Sequence, residues 1–275
     1  MRNLQLHTMR ISVSENGCEK EANTMNYQTN EQLSEMKLHA MRLEYRRQQE
    51  LPAISDLDFD ERFSMIVNEQ YNAKKDAKSR RLIKAANLRE PTANLANIDY
   101  DPVRKIKKAD IARLSNCEWI QSGANLIITG ATGVGKTYLL SAFGRAACIQ
   151  SIKVRCYRVP RLLTDLAISR GDGSYNKLMQ NLIKPELLIL DDFGIKQLDL
   201  TMTQDMLEVV EERHHAGRSI AISAQLPVKD WPTVFKDPTI TDAILDRLVR
   251  NAYRIDLKGP SRRPTVEHQP VVDDN

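Results

Sequence analysis

The chain carries little of what a disulfide framework, a zinc knuckle or a membrane span is made from. Four cysteines stand in 275 residues. Cys18, Cys117, Cys148 and Cys156 form neither a C-x-x-C pair nor a knuckle spacing, so reduced structural thiols are expected. Among five histidines only His214 and His215 adjoin, and helix neighbours point to different faces, which argues against a metal site there. No apolar run approaches the roughly 20 residues that span a bilayer. The opening stretch, MRNLQLHTMRISVSENGCEKEANTMN, lacks the continuous apolar core and A-x-A-like cleavage site of a secretory signal. No membrane association is expected, and the cytoplasm is the default location.

What is present is a hydrophobic fraction of 41%, enough for a sizeable core in one large domain or two modest ones. The formal net charge of +4 conceals an uneven distribution. Lys and Arg crowd residues 70–113, making that stretch a candidate polyanion surface.

Residues 1–26 are polar and without periodicity, so a disordered extension is expected, with Met25 as a candidate true start. From Thr29 a helical pattern runs towards Pro52, with Thr29 and Gln32 placed as a capping box. Asp58–Lys84 then sets Phe59, Phe63, Ile66, Val67 and Tyr71 at helical spacing. Residues 27–90 therefore read as a small all-α N-terminal domain for partner or DNA binding. Pro91–Pro102 reads as a connector holding the boundary, and a basic helix is expected over Lys105–Cys117.

Strands are expected at Asn125–Thr129, Lys153–Val159, Leu187–Leu190, Ser219–Ser223 and Tyr253–Leu257. Helices are expected at Lys136–Ile149, Arg161–Ile168, Tyr175–Ile183, Thr201–His215 (with a Thr201…Gln204 capping box) and Pro238–Arg250. Repeated βα units of this kind build a five-stranded parallel sheet with helices on both faces, here over residues 91–258. The Pro-rich stretch 259–275 reads as a flexible tail.

The organising motif is Gly130-Ala131-Thr132-Gly133-Val134-Gly135-Lys136-Thr137, followed by Tyr138, which fills every fixed position of G-x-x-x-x-G-K-[ST]. Its glycines let backbone N–H groups turn inward around a polyphosphate, and the following helix adds its positive N-terminus. Lys136 can reach the β- and γ-phosphates of ATP, and the Thr137 hydroxyl can sit on Mg²⁺. Further on, Leu187-Leu188-Ile189-Leu190 delivers Asp191 and Asp192 at a strand's C-terminal end. Asp191 is the candidate to hold Mg²⁺, and Asp192 to orient or deprotonate the attacking water. After the fourth strand Gln225, with Ser223 as alternative, is the candidate sensor of the γ-phosphate. Arg247, with Arg250 as alternative, is the candidate guanidinium offered to a neighbouring subunit's phosphates.

The runs LLILDDFG, AQLPVKDW and AILDRLVRNAYRIDLKGPSRRP, with the basic N-terminal helices, resemble the IstB-type ATPases, transposition helper proteins of bacterial insertion sequences. These are similar to DnaC-type helicase loaders and belong to the AAA+ class. The resemblance runs from about Tyr27 to Arg263. Ser223-Ala224-Gln225-Leu226-Pro227 stands where the family has Thr-Ser-Gln-Leu-Pro, so Gln225 matches and Ala224 departs.

The resemblance implies an AAA+ P-loop fold, ATP hydrolysis with Mg²⁺, a homo-oligomer with ATP sites between subunits, duplex DNA as ligand, and a cognate transposase of the IstA kind as partner. A DnaC-like helicase loader is the alternative. A DNA-binding scaffold with a degenerate ATPase centre is argued against by the intact Lys136, Thr137, Asp191 and Asp192. Only Lys258–Asn275 follow the last strand, too few for the helical lid of many AAA+ proteins, so the pocket's second wall is expected to come largely from a neighbouring subunit.

Two basic regions compete for DNA. One holds Lys74, Lys75, Lys78 and Arg81 on a helix, the other Arg158, Arg161 and Arg170 after the second strand. Neither has interleaved aromatics for base stacking, which favours salt-sensitive, sequence-independent contact with a duplex backbone.

Overall fold

Five short runs of buried residues set the framework. In β1 (Asn125–Gly130) and β3 (Leu187–Phe193) the aliphatic positions are at most 1% exposed, as expected of strands covered on both faces. With β2 (Val154–Arg158), β4 (Ser219–Ala224) and β5 (Ala252–Leu257) they form one all-parallel sheet in the order β2-β3-β4-β1-β5. The computed structural model describes residues 26–51, 54 and 56–263. The disorder expected of the first residues, Met25 as a start, and Cys18 lie outside them.

Alternation along the strands sorts the core into two layers. Leu126, Ile128, Leu187, Ile189, Ala221 and Ile255 face α5 (Lys136–Ile149), α3 (Lys108–Ser115) and α4 (Glu118–Gln121). Ile127, Leu188, Leu190, Ile220 and Ile222 face α6 (Val159–Asp172), α7 (Tyr175–Ile183), α8 (Leu200–His215) and α9 (Pro238–Val249). The expected five-stranded sheet with helices on both faces is thus the observed one. No helix among the described residues is long and apolar enough to cross a membrane.

The chain divides into two compact units, residues 1–76 and 77–275. The division falls inside α2 (Phe59–Ala86), not in the 91–102 connector, because Ala86, Leu88 and Ile98 are buried in the core of the sheet. The first unit holds helical residues 26–35, α1 (His39–Glu50) and the start of α2. Lys37 adopts a left-handed φ of 58° and breaks the single helix expected before Pro52. Thr29 lies within helix, so its box with Gln32 caps nothing. Polar contacts join this unit: Tyr45 donates to Asn26 Oδ1 at 2.8 Å and Gln48 Nε2 to the Arg62 carbonyl at 3.0 Å. Phe59, Phe63 and Tyr71 share helical spacing yet are exposed.

Two further details differ from expectation. The start of α8 is capped by Asp199, whose carboxylate accepts from the Met202 N–H at 2.8 Å, so the Thr201…Gln204 box is displaced by an adjacent, charged acceptor. The expected Lys105–Cys117 helix shortens to α3, since Asp101 caps a 3₁₀ turn at Pro102–Arg104 and Lys105 is left-handed. Cys117, Cys148 and Cys156 are free and buried. Burial pushes their thiols up to about 11, 12 and 12.

Arg213 is fully buried on α8. Its guanidinium donates to the carbonyls of Leu182 (2.6 Å), Pro185 (3.0 Å), Glu186 (3.2 Å) and Ser219 (2.5 Å), which gathers the turn before β3 onto the start of β4. Burial lowers its affinity for the proton to about 9. Arg213→Leu strands these carbonyls and is expected to lower unfolding free energy by about 3 kcal/mol, read as an earlier midpoint in urea denaturation.

Candidate functional site

The C-terminal ends of the parallel strands gather β1's loop, β3's acids and the residue after β4 on one edge, where ligands bind in open α/β sheets. Gly130 leaves β1 at φ 146° with the Leu257 carbonyl so close that a Cβ would collide with it. Arg104, 8% exposed, steadies the loop by donating to the Val134 carbonyl at 3.0 Å and the Asp99 carbonyl at 2.8 Å. The Lys136 ammonium donates to the Gly130 and Ala131 carbonyls, each at 2.8 Å. Its burial lowers its pKa, and the nearby Asp192 and Asp191 oppose that.

Asp191 is 1% exposed. The Thr137 hydroxyl lies 3.1 Å from each of its carboxylate oxygens, and the Ser223 hydroxyl donates to it. Ser223 Oγ also accepts the Asp192 N–H at 3.0 Å. Pairing of β3 with β4 slips between Leu190 and Phe193, and Asp192 takes a left-handed φ of 61°. The slip turns the Asp192 side chain into the cavity beside Asp191, a strained conformation of the kind that clusters at functional sites. Two arginines from elsewhere compensate the acids. Arg89 Nη1 stands 3.1 Å from both Asp191 and Asp192, and Arg158 Nε 2.7 Å from Asp192.

A cavity of about 480 Å³ joins Thr132, Gly133, Gly135, Lys136, Thr137 and Tyr138 with Asp192 and Gln225. Gly130 and Ala131 contribute the carbonyls that hold Lys136, while the Val134 side chain is buried in the core. Arg247 stands outside the cavity. It pairs with Glu211 at 2.9 Å, donates to the Ala243 carbonyl at 2.8 Å, and accepts at its own carbonyl from Asn125 at the start of β1.

The basic candidates separate. Lys74, Lys75, Lys78 and Arg81 are exposed on α2. Arg158 is drawn into the site by Asp192, Arg161 pairs with Asp165 at 2.9 Å, and Arg170 pairs with Asp205 and stacks on Tyr175.

Sequence reasoning missed Arg89, Arg104, Arg262 and Arg263, all lining the cavity. Arg89 and Arg104 flank the stretch that read as a connector, Arg262 and Arg263 lie in the one that read as a tail, and no local spacing separates an inward arginine from a surface one. Asn97, Ile98 and Ile106 form a partly apolar wall, held by Tyr138, whose hydroxyl accepts the Asn94 N–H at 3.3 Å.

Five cations around one loop suit a polyanion, and the Thr137 hydroxyl beside the Asp191 carboxylate is a hard-oxygen donor set of the kind Mg²⁺ takes. The residues therefore fit a magnesium-bound nucleoside triphosphate.

The sequence profile described as IstB-like ATP binding protein matches residues 31–269. The insertion sequence ATP-binding protein y4pL of Sinorhizobium fredii is 40% identical over 207 residues, covering 75% of this chain and 84% of that protein. The insertion sequence IS1162 ATP-binding protein of Pseudomonas fluorescens is 37% identical over 218 residues, covering 76% and 94%. Among solved structures, the DnaC helicase loader superposes with a TM-score of 0.51 at 18% identity, over 61% of this chain and 97% of that one. AMPPCP-bound DnaA from Aquifex aeolicus gives 0.52 at 16%, over 61% and 50%. These two likenesses are of fold, and that fold is the AAA+ P-loop type.

Ser223 joins both acids, so Ser223→Ala is expected to leave the Asp192 N–H without its acceptor. Stability should fall by about 1–2 kcal/mol and nucleotide turnover by about tenfold, checked by urea denaturation and a phosphate-release assay on the same preparation.

Proposed function

Because the chain belongs to the IstB-like ATP-binding protein family, which makes it a P-loop ATPase, we propose that it is the ATP-dependent DNA-handling helper of an insertion-sequence transposition system. In this reading it oligomerises with ATP on duplex DNA in the cytoplasm and regulates a cognate transposase. The observation that carries the ATP chemistry is the convergence of Lys136, Thr137 and Asp192 on one cavity, with the buried Asp191 carboxylate directly behind the Thr137 hydroxyl. The transposition setting is supported by the insertion-sequence names of the relatives. The DnaC likeness is of fold, at 18% identity, and gives a helicase-loading role no comparable support.

In the proposed site the loop and Lys136 hold the β- and γ-phosphates. Thr137 and Asp191 would hold Mg²⁺, which would supply charge neutralisation across the phosphates. Asp192 orients the attacking water and takes up its proton, and Gln225, on the same cavity wall, reports the γ-phosphate. Arg247 acts on the phosphates of a neighbouring subunit. DNA contact is assigned first to Lys74, Lys75, Lys78 and Arg81, exposed on α2; Arg158 and Arg170 serve carboxylates at and near the sheet edge.

Lys136→Ala and Asp192→Asn divide the proposal into measurable parts. The first is expected to raise the ATP Kd at least 100-fold and to abolish ATP-dependent sedimentation with duplex DNA. The second keeps ATP affinity within a few-fold, lowers hydrolysis about 100-fold or more, and retains ATP-dependent, salt-sensitive DNA binding. Lys136→Ala protein that hydrolyses ATP at the wild-type rate would refute the site. DNA binding indifferent to ATP and to salt would refute the helper reading.

Arg247→Ala and Asp192→Asn subunits are each expected to be inactive alone. When mixed, they should regain part of the wild-type ATPase rate, because interfaces pairing Arg247 of one with Asp192 of the other are intact. Absence of recovery across all mixing ratios would remove Arg247 from the reaction.

A further inference from the structure

After β5 the chain crosses the phosphate loop. The Lys258 N–H donates to the Arg104 carbonyl at 3.2 Å, and the Arg262 N–H donates to the Gly133 carbonyl at 2.9 Å. The Arg262 guanidinium pairs with Asp99. Ser261 packs so closely on Gly133 that a Cβ there would collide with its hydroxyl. Gly133 occupies a variable position of G-x-x-x-x-G-K-[ST], so the phosphate cradle does not itself demand glycine there. The approach of Ser261 does, together with a left-handed φ of 85°.

This packing sets Arg263 on the wall of the cavity that holds Lys136. Among the described residues no carboxylate pairs with its guanidinium, unlike Arg262, Arg89 and Arg158. Two cations turned into one cavity repel each other unless an anion lies between them.

We propose that Lys258–Arg263 is a strap seated on the phosphate loop and that Arg263 binds the nucleotide's phosphates, in cis, from the subunit that supplies Lys136. Arg262 is the positioning residue that fixes the strap through Asp99 and the Gly133 carbonyl. The inference rests on the ATP reading above and adds to it a pocket wall from the same chain, where the sequence led to the expectation of one largely from a neighbour.

The test is equilibrium titration of the full-length protein with fluorescent ATP and ADP. Arg263→Ala is expected to raise the ATP Kd about tenfold and the ADP Kd by less, with an unchanged thermal midpoint. Arg263→Lys should recover part of the loss. Lys229→Ala, which removes an exposed charge away from the cavity, should leave both constants unchanged. An ATP Kd within twofold of wild type for Arg263→Ala, or an equal loss in Lys229→Ala, would overturn the assignment while leaving the ATP reading in place. Wild-type protein that does not bind ATP would overturn both.

Discussion

The structure around the site turns on one buried negative charge. Asp191 is 1% exposed, and an ionised carboxylate so far from water is costly unless hydrogen-bonded and paired. Its partners come from three places: Thr137 at the start of α5, Ser223 in β4, and Arg89 just after α2. Placing them around one carboxylate requires β4 beside β3 and the phosphate loop one strand further on. It also requires the segment after α2 to return across the sheet edge. The order β2-β3-β4-β1-β5 meets the first two conditions, and burial of Ala86, Leu88 and Ile98 in the sheet core meets the third.

The phosphate loop is correspondingly less self-sufficient than its motif suggests. Arg104 holds it from the 3₁₀ turn that follows the connector, Leu257 limits it at Gly130, and the residues after β5 pack on Gly133. Segments without regular secondary structure thus carry much of the cavity wall. They are also segments in which a change in bound charge is felt directly, because Arg89 and Arg262 each answer a carboxylate on the cavity wall. Replacing either pairing redistributes charge within a partly desolvated space, where such changes are worth more than at the surface.

What was legible in the sequence follows from how local its causes are. Strands buried on both faces show as continuous aliphatic runs, so β1 and β3 could be placed from Leu126–Ile128 and Leu187–Leu190 alone. The phosphate loop and its acids are legible because their chemistry demands fixed residue types. Arg89 and Arg104 were not, since an arginine in a basic run does not reveal a carboxylate 102 residues away in the chain or a loop carbonyl 30 residues away. The left-handed turn at Asp192 arises from a register slip against β4, a property of the sheet and not of Asp-Asp-Phe-Gly. The polar, Pro-containing stretch after Lys258 has the composition of a tail, and only its contacts with Gly133 and Arg104 bring its start into the site. In the first unit, Phe59, Phe63 and Tyr71 keep the spacing of a core face while remaining exposed.

The place of Arg247 adds a geometric argument for the proposed sharing of sites between subunits. Asn125 opens β1 and donates to the Arg247 carbonyl at 3.0 Å, whereas Gly130 closes β1 and enters the phosphate loop. Those five residue steps span about 17 Å of extended chain. The Arg247 side chain is also engaged, with Glu211 and with the Ala243 carbonyl. An arginine at the N-terminal end of the strand whose C-terminal end enters the phosphate loop cannot reach that loop's cavity in the same chain without dismantling α9. If Arg247 acts on ATP, the phosphates are therefore those of another subunit. On that reading the cis contribution falls to the arginines already on the cavity wall, and the proposed work divides between a strap on its own loop and a guanidinium offered to the next subunit.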